Sequence, residues 1–310
     1  MNVWRLHTRN GDVDRMPYLY KISAAGVGWC KYDKKRIISK EIREKMAVLL
    51  KNNFDCYMND IEEYYKKKIS CLRRFKEDVK PDDLIWMRGF GKYYIGRVSE
   101  TSEFLYNPSD DAYMMDSCHQ WSNITWYEVG DESDVPGAVA NAFIKGSAFQ
   151  RINKPGIAEY SQLVYNSCMN EEIYKNVKLK NDMNTFYSLL TASDCEDLLC
   201  LWLYSKYGYI CIPSTNKIST PLYECILKNP QNGNTIYVQV KQGKININAD
   251  DYKELNGEVW LFTTYGNVIR YEKYSNIKIA EAKELFDFAV NEESKFILPL
   301  SIRKWLDFLG

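Results

Sequence analysis

Three polar residues on two neighbouring apolar segments have the types and spacing needed to hold a divalent metal ion. Glu224 lies in LYECIL, and Gln239 and Lys241 lie two positions apart in YVQVK. Because side chains alternate between the faces of a strand, Gln239 and Lys241 share a face, while the neighbouring valines point into the core. Carboxylate and amide oxygens suit Mg²⁺ or Mn²⁺, and an ammonium group beside them can hold or deprotonate a water next to a scissile phosphate. Glu224 and Gln239 are therefore the candidate metal ligands, and Lys241 is the candidate catalytic residue that holds or deprotonates the water.

A helix that carries acidic residues is predicted just before these strands. Ser193 and Glu196 have the spacing of a capping box with Ser193 as the N-cap. The helix should continue through DLLCLWLYSKY and end at Gly208, because glycine is a frequent C-terminal signal. Glu196 is a candidate fourth catalytic residue, with Asp197 as its rival. An equally acceptable interpretation gives Glu196 only the capping role.

Turn signals and apolar alternation predict the elements that must position these residues. Strands are expected at 209–213, 222–227, 235–243 and 257–266, followed by helices at 279–291 and 299–309. The segment NPQNGN between the second and third of these strands predicts a hairpin. If the two strands pair through this turn, Glu224 meets Gln239 and Lys241 at one end of a sheet.

Residues 193–243 together resemble the PD-(D/E)xK nuclease superfamily, in the Mrr-like restriction endonuclease branch whose last motif is QxK. The resemblance implies an α/β restriction-endonuclease-like domain with a mixed central sheet. Glu196 matches the acid on the family's helix, and Glu224 matches its metal ligand. Gln239 and Lys241 match the last motif. Glu224 stands where the family more often has Asp, and Gln239 stands where it more often has an acid.

The first half of the chain predicts short strands and a glycine-rich hairpin, with helices at 40–51 and 60–75. The segments VGWC, DLIWMRGFGKYYIGRV and HQWSNITWYEVG resemble PUA-like β-barrels, especially EVE-like domains. This resemblance implies an α+β domain, a PUA-like barrel with helices, that reads a flipped-out and commonly modified base. A Pro-Gly break in RINKPGIAEY is the candidate junction, giving domains 1–155 and 156–310.

Aromatic residues make up 14% of the chain, and some of them are candidates for stacking on such a base. An unstacked base needs replacement stacking, worth about 1–3 kcal/mol per aromatic partner. The candidate base-binding residues are Trp29, Trp86 and Trp121, with Trp126 and Tyr93 behind them. The alternative is that these rings fill an ordinary core, which is the commoner role of tryptophan in a small barrel.

The charge balance conceals one basic segment. The chain has 41 basic and 41 acidic residues, which argues against a protein that coats nucleic acid by charge alone. The segment YYKKKISCLRRFK (64–76) is nevertheless strongly basic. Candidate phosphate-binding residues are Lys66, Lys67, Arg73, Arg74 and Arg88, helped by Lys92 and Arg97. The segment is also typical of the solvated side of an amphipathic helix.

Scarce histidines and unpaired cysteines limit the remaining chemistry. With His7 and His119 as the chain's two histidines, a His-rich zinc site or a His-dependent triad is not expected. Nine cysteines without a CxxC pair predict reduced, mostly buried thiols, and Cys225 is interpreted as a core residue. The sequence contains no uninterrupted apolar run of about 18 residues, so a transmembrane helix is not expected. The first residues lack the apolar core of a secretory signal, so we expect a cytoplasmic location.

Taken together, the two halves predict a modification-dependent, type IV-like endonuclease. It would bind double-stranded DNA that carries modified bases and hydrolyse phosphodiesters with Mg²⁺ or Mn²⁺. Restriction-type nucleases usually act as dimers, so a homodimer is a candidate assembly. One alternative is a catalytically inactive module that binds nucleic acid or a protein partner. Another is an RNA-directed nuclease, because PUA-like domains also bind RNA.

Overall fold

The computed structural model describes residues 1–30, 37–217 and 222–309, and the chain divides into two compact units, Met1–Val177 and Lys178–Gly310. This division falls later than the expected junction after residue 155. The difference arises because helix Ile157–Met169 packs on strands of the first unit. Within that packing, Trp86 donates its indole N–H to Ser161 Oγ at 3.0 Å.

Strands and helices alternate irregularly along the first unit. Its described strands are β1 (Val3–Leu6), β2 (Arg9–Asn10), β3 (Val13–Asp14), β4 (Ala25–Val27), β5 (Leu84–Gly89), β6 (Lys92–Arg97), β7 (Phe104–Tyr106), β8 (His119–Trp121), β9 (Trp126–Gly130) and β10 (Phe149–Arg151). Its described helices are α1 (Met16–Lys21), α2 (Lys40–Asn52), α3 (Phe54–Tyr65), α4 (Ser70–Glu77), α5 (Asp110–Met114), α6 (Gly137–Ala142) and α7 (Ile157–Met169).

Two open sheets organise the first unit. A five-stranded sheet has the order β10-β1-β5-β6-β9, in which β1 and β5 are parallel and the other neighbours are antiparallel. A three-stranded antiparallel sheet has the order β4-β8-β7. Across the described residues neither sheet closes on itself. In the first sheet, β10 and β9 are the two edge strands and do not pair with each other, and the strands of the second sheet pair only among themselves. The unit is mixed α+β, and the expected closed barrel is not formed.

Aromatic side chains fill the interior of the first unit. Trp4 stacks on Phe149 with ring centroids 4.8 Å apart, and Phe75 meets Phe149 edge-on at 4.7 Å. Such pairs add to the free energy gained by burying the rings themselves. Much of the aromatic surplus in the sequence is therefore core.

The hairpin expected in the glycine-rich segment is confirmed, whereas the helix expected at 60–75 is two helices. Strands β5 and β6 are joined by Phe90 and Gly91, whose φ angles of +51° and +75° fit a two-residue hairpin turn. Helix α3 ends at Tyr65, and the following C-cap residue, Lys66, has a φ of +52°. The Glu62 carboxylate then accepts a hydrogen bond from the Ile69 backbone N–H at 2.9 Å, which holds the turn before α4.

The second unit has a mixed central sheet, as expected. Its described strands are β11 (Ile210–Cys211), β12 (Cys225–Lys228), β13 (Thr235–Lys241), β14 (Ile247–Asn248), β15 (Glu258–Thr263), β16 (Val268–Ile269) and β17 (Ile277–Ile279). The sheet order is β11-β12-β13-β15-β17. The first three strands are antiparallel, and β13, β15 and β17 are parallel.

Helices accompany this sheet, and α9 packs against β11 and β13. The described helices of the unit are α8 (Met183–Leu189), α9 (Ala192–Tyr207), α10 (Ala282–Val290) and α11 (Leu300–Leu309). The longest of the described helices, α9, has 16 residues. In the three described ranges, no helix is both long enough and apolar enough to cross a membrane.

Helix α9 begins two residues earlier than the sequence predicted. Thr191 is the N-cap, and its Oγ1 accepts a hydrogen bond from the Asp194 backbone N–H at 3.1 Å. The Asp194 carboxylate returns the bond by accepting from the Thr191 backbone N–H at 2.8 Å. The capping box is therefore Thr191 with Asp194, and the assignment to Ser193 and Glu196 is wrong. The predicted end at Gly208 is confirmed, with a φ of +73°.

Candidate active site

The Glu224 carboxylate is the centre of a polar cluster at the end of the β12–β13 hairpin. The Glu224 backbone N–H donates to the Val238 carbonyl at 2.8 Å, which extends the strand pairing to this residue. Glu224 Oε1 accepts hydrogen bonds from Gln239 Nε2 at 2.6 Å and from Lys241 Nζ at 3.3 Å. The hairpin register thus brings the three residues of the predicted motif into direct contact.

Glu196 lies in the electrostatic field of this cluster. Burial raises the pKa of Glu196, the negative charges of Glu224 and Asp197 raise it further, and Lys241 opposes them. Burial also raises the pKa of Asp197, the rival residue, but the charge that adds to its shift is that of Asp194. Of the two candidate helix acids, Glu196 is the one that responds to Glu224 and Lys241.

The side-chain amide of Gln239 is buried and only half satisfied. Gln239 is 1% exposed, and its Nε2 donates both to Glu224 Oε1 and to the Val240 carbonyl, the latter at 3.2 Å. Its Oε1 is buried without a hydrogen-bond partner among the described residues. Amide nitrogen and oxygen exchange places when the terminal torsion rotates by half a turn.

This arrangement fits a small divalent cation. After such a rotation, Gln239 Oε1 would face two oxygens that already converge, from the Glu224 carboxylate and the Val240 carbonyl. In that orientation Lys241 Nζ, 3.3 Å from Glu224 Oε1, is the remaining donor to this group of oxygens, and a bound cation would reduce the repulsion among them. Mg²⁺ and Mn²⁺ prefer oxygen ligands, so the donor set suits either ion.

The cluster is open to solvent on one side. The side chains of Lys241 and Glu224 are 36% and 32% exposed, whereas Gln239 is buried. Tyr252, which the sequence analysis did not select, lies close enough for the charge of Glu224 to affect it. Burial, helped by Asp251 and Glu224, raises the pKa of Tyr252 to about 12, so this phenol stays neutral beside the cluster. No strand or helix period marks Tyr252, because it lies in a short turn of 3₁₀ helix.

Two of the three tryptophans predicted to bind a base lie in the core. Trp86 is 0% exposed and Trp121 is 8% exposed. Trp86 donates its indole N–H to Ser161, and Trp121 donates to the Phe75 carbonyl at 2.7 Å. Neither ring presents a face on which a base could stack in this conformation. The two residues expected behind them, Trp126 and Tyr93, are also buried.

Trp29 differs from these residues because it is partly exposed and has a strained backbone. Its φ of +67° lies in the left-handed region, which is unfavourable for a bulky side chain. Both neighbours are fixed: His119 Nδ1 is hydrogen-bonded to the Gly28 carbonyl at 2.7 Å, and the Cys30 backbone N–H donates to Asp116 Oδ1 at 3.2 Å. The surrounding core therefore holds Trp29 in this conformation.

The five predicted phosphate-binding residues differ in their surroundings. Arg73 pairs with Asp55 at 3.1 Å, and Arg74 donates to a backbone carbonyl of β10 at 3.2 Å. Lys66 and Lys67 are exposed at the turn that follows α3. The basic segment is thus divided between a surface turn and a helix whose arginines help to hold the fold.

Arg88 lines a pocket that the sequence analysis missed, beside the β5–β6 turn. The pocket has a volume of about 300 Å³, and His7, Arg9, Asp14 and Phe90 contribute to its wall. Phe90 is 76% exposed at the tip of the hairpin. The signal in the sequence was the turn itself, which places one aromatic ring between two glycines next to Arg88.

Comparison of the chain with protein-family models, with curated proteins and with solved structures gives no match.

Proposed function

We propose that the second unit is a metal-dependent nuclease domain that hydrolyses phosphodiester bonds in DNA. The observation that carries the proposal is the double contact of Glu224 Oε1 with Gln239 and Lys241, with Glu196 in the same field. A carboxylate pair, an amide and an ammonium group in one cluster can hold a metal ion and a water for metal-assisted phosphoryl transfer. The resemblance to the PD-(D/E)xK superfamily agrees with this order of helix, strand and QxK strand.

Each residue has a distinct role in the proposed mechanism. Glu224, Gln239 and the Val240 carbonyl would supply oxygens to Mg²⁺ or Mn²⁺, and the ion would polarise a phosphoryl oxygen and lower the pKa of a bound water. Lys241 holds the attacking water and donates a hydrogen bond to the phosphate. Glu196, whose pKa is raised, accepts a hydrogen bond from water on the helix side of the cluster.

We assign the first unit to recognition of a modified base in double-stranded DNA. Two features support this role: the strained, partly exposed Trp29 and the pocket formed by Arg88, Phe90 and their neighbours. An extruded base requires an aromatic face, and its flanking phosphates require cations. The resemblance of the hairpin and the aromatic segments to PUA-like domains agrees with this role.

A cleavage panel tests the proposal. Duplexes with methylated, hydroxymethylated, glucosylated or plain cytosine, and an RNA of the same sequence, are incubated with the full chain and Mg²⁺ or Mn²⁺. We expect cleavage of a modified duplex, and its loss in Lys241→Ala. Lys244→Ala is the matched control, because Lys244 is an exposed lysine three residues further on. Equal cleavage by Lys241→Ala and the native chain would place the site elsewhere.

A second candidate function is a catalytically inactive module that binds nucleic acid or a partner protein. It is favoured by the contacts of Glu224 Oε1, which accepts a hydrogen bond from Gln239 and forms an ion pair with Lys241. Calorimetric titration with Mn²⁺ separates the two candidates. Binding of a duplex or RNA without Mn²⁺ binding or cleavage would support the inactive module. Cleavage of RNA but of no duplex would instead identify an RNA-directed nuclease.

A further inference from the structure

Three cysteines from three different elements converge in the second unit. Cys200 lies in α9, Cys211 ends β11 and Cys225 begins β12. Their three sulfur atoms all lie within 4.8 Å of one another, and the Sγ atoms of Cys200 and Cys225 are 3.5 Å apart. None of the three is in a disulfide bond. The expectation that Cys225 is buried is confirmed at 2% exposure, but it has thiol neighbours that no local pattern could indicate.

We propose that Cys200, Cys211 and Cys225 form a binding site for a zinc ion. Zinc binds thiolates at about 2.3 Å, and tetrahedral geometry then separates the sulfurs by about 3.8 Å. The Cys200–Cys225 separation of 3.5 Å is close to this value, and no sulfur separation in the cluster exceeds 4.8 Å. Small side-chain rotations are therefore enough to assemble three ligands, and a water or another donor can take the fourth position.

The chemistry of the donors distinguishes this site from the Glu224 cluster. Thiolates are soft ligands that select Zn²⁺ or Cu⁺ and bind Mg²⁺ weakly, whereas the carboxylate and amide oxygens of the active site suit Mg²⁺ or Mn²⁺. Cys200 and Cys211 are partly exposed, which gives an ion a route to the buried Cys225. The inference needs no contribution from the nuclease site and stands apart from it.

Position in the fold suggests what the zinc ion does. It would cross-link α9 to β11 and β12, because each ligand comes from a different element. Cys200 follows Glu196 by one helical turn, and Cys225 follows Glu224 directly. The zinc ion would therefore hold Glu196 and Glu224 at a fixed separation, a role that rests on the proposed function.

Cobalt substitution tests the zinc site directly. The reduced full chain is stripped with a chelator and titrated with Co²⁺, whose bond to a thiolate gives a charge-transfer absorption band. We expect the charge-transfer band to saturate at one Co²⁺ per chain and to disappear when Zn²⁺ is added. Cys211→Ser should weaken Co²⁺ affinity at least tenfold, whereas the control Cys56→Ser, which alters an exposed cysteine of the first unit, should leave it unchanged.

The remaining outcomes also decide the matter. Cys211 is partly exposed, so Cys211→Ser should keep the native circular dichroism spectrum, and its Co²⁺ affinity then reports on the ligand alone. Absence of a charge-transfer band in the native chain, or an unchanged band in Cys211→Ser, would refute the zinc site. Glu224→Gln should retain the band even where cleavage is lost. Failure of the nuclease proposal is therefore distinguishable from failure of this one.

Discussion

Gln239 directs its amide nitrogen at Glu224 Oε1 across 2.6 Å, and its own oxygen is left buried and without a partner among the described residues. An unpaired buried acceptor costs about 1–3 kcal/mol, so the metal-free conformation contains a local defect. A cation that brings the amide oxygen round to face Glu224 would remove this unpaired acceptor and place the amide N–H groups at its former position. The relationship between these two residues therefore links metal binding to stability.

Gln239→Glu should convert this defect into a stronger metal site. The new carboxylate lies against Glu224, so repulsion and burial should destabilise the metal-free protein by about 1–3 kcal/mol. Mn²⁺ should restore the loss and bind about tenfold more tightly than to the native chain. Denaturant unfolding and calorimetry with and without Mn²⁺ measure both effects. The control is Gln231→Glu, an exposed position in the hairpin turn, and weaker Mn²⁺ binding by Gln239→Glu than by this control would contradict the site.

Glu196→Gln should stabilise the metal-free protein at neutral pH while it lowers cleavage. Burial raises the pKa of Glu196, and Glu224 adds to the shift, so the folded state resists ionisation more than the unfolded state does. The contribution of protonated Glu196 to stability is fully present below the pKa that Glu196 has in the unfolded state. This contribution is lost as the pH rises through its pKa in the folded state. The gain in melting temperature should therefore be seen at neutral pH and vanish in acid. Asp197→Asn, one residue along the helix, tests whether the loss of cleavage is specific to Glu196.

Local rules were enough to predict the cluster of Glu224, Gln239 and Lys241. The alternation of YVQVK places Gln239 and Lys241 on one face, and the NPQNGN turn sets the register that brings Glu224 to them. The burial of Gln239 was not predictable, because it depends on packing against elements distant in sequence. For the same reason the cysteine cluster was missed: it needs α9 packed on a pairing between β11 and β12.

The first unit shows why exposure was harder to predict than element type. Strand β5 is covered on both faces, so all its residues except Arg88 are buried and alternation carries no information about Trp86. The barrel is an expectation that rests on the residue composition of separate strands. The parallel pairing of β1 with β5 and the separate β4-β8-β7 sheet depend on contacts between distant segments, which strand texture does not encode.

His119 should make the first unit acid-sensitive. It is completely buried, with its Nε2 2.6 Å from the Tyr57 hydroxyl and its Nδ1 on the Gly28 carbonyl, and burial lowers the pKa of His119 to about 4. The unfolded state takes up a proton near pH 6.5 and the folded state does not, so stability falls as the pH drops from about 6.5 towards 4.

The size of this loss can be isolated by substitution. Between neutral pH and about pH 5, the difference in proton uptake corresponds to about 2 kcal/mol. Urea unfolding of His119→Gln should lack this share of the acid loss, whereas His7→Gln should retain it. If the free energy of unfolding changed with pH in the same way for the native chain and His119→Gln, His119 would take up its proton in the folded protein as readily as in the unfolded chain, and the prediction would be wrong.

Trp29→Ala and Trp86→Ala should separate a base-stacking ring from a core ring. Trp29 is partly exposed, so its removal should reduce affinity for a modified duplex by about 1–3 kcal/mol, or roughly fivefold to 150-fold, because a stacking face is lost. Trp86 is completely buried, and its removal should cost about 3–5 kcal/mol of unfolding free energy. Fluorescence anisotropy with modified and plain duplexes, together with denaturant unfolding, measures both quantities.

Tyr20→Ala, which removes an exposed ring of the same unit, is the control. Equal losses of affinity in Trp29→Ala and Tyr20→Ala would show that Trp29 has no specific contact with the base, and attention would then move to Phe90 and the pocket beside it.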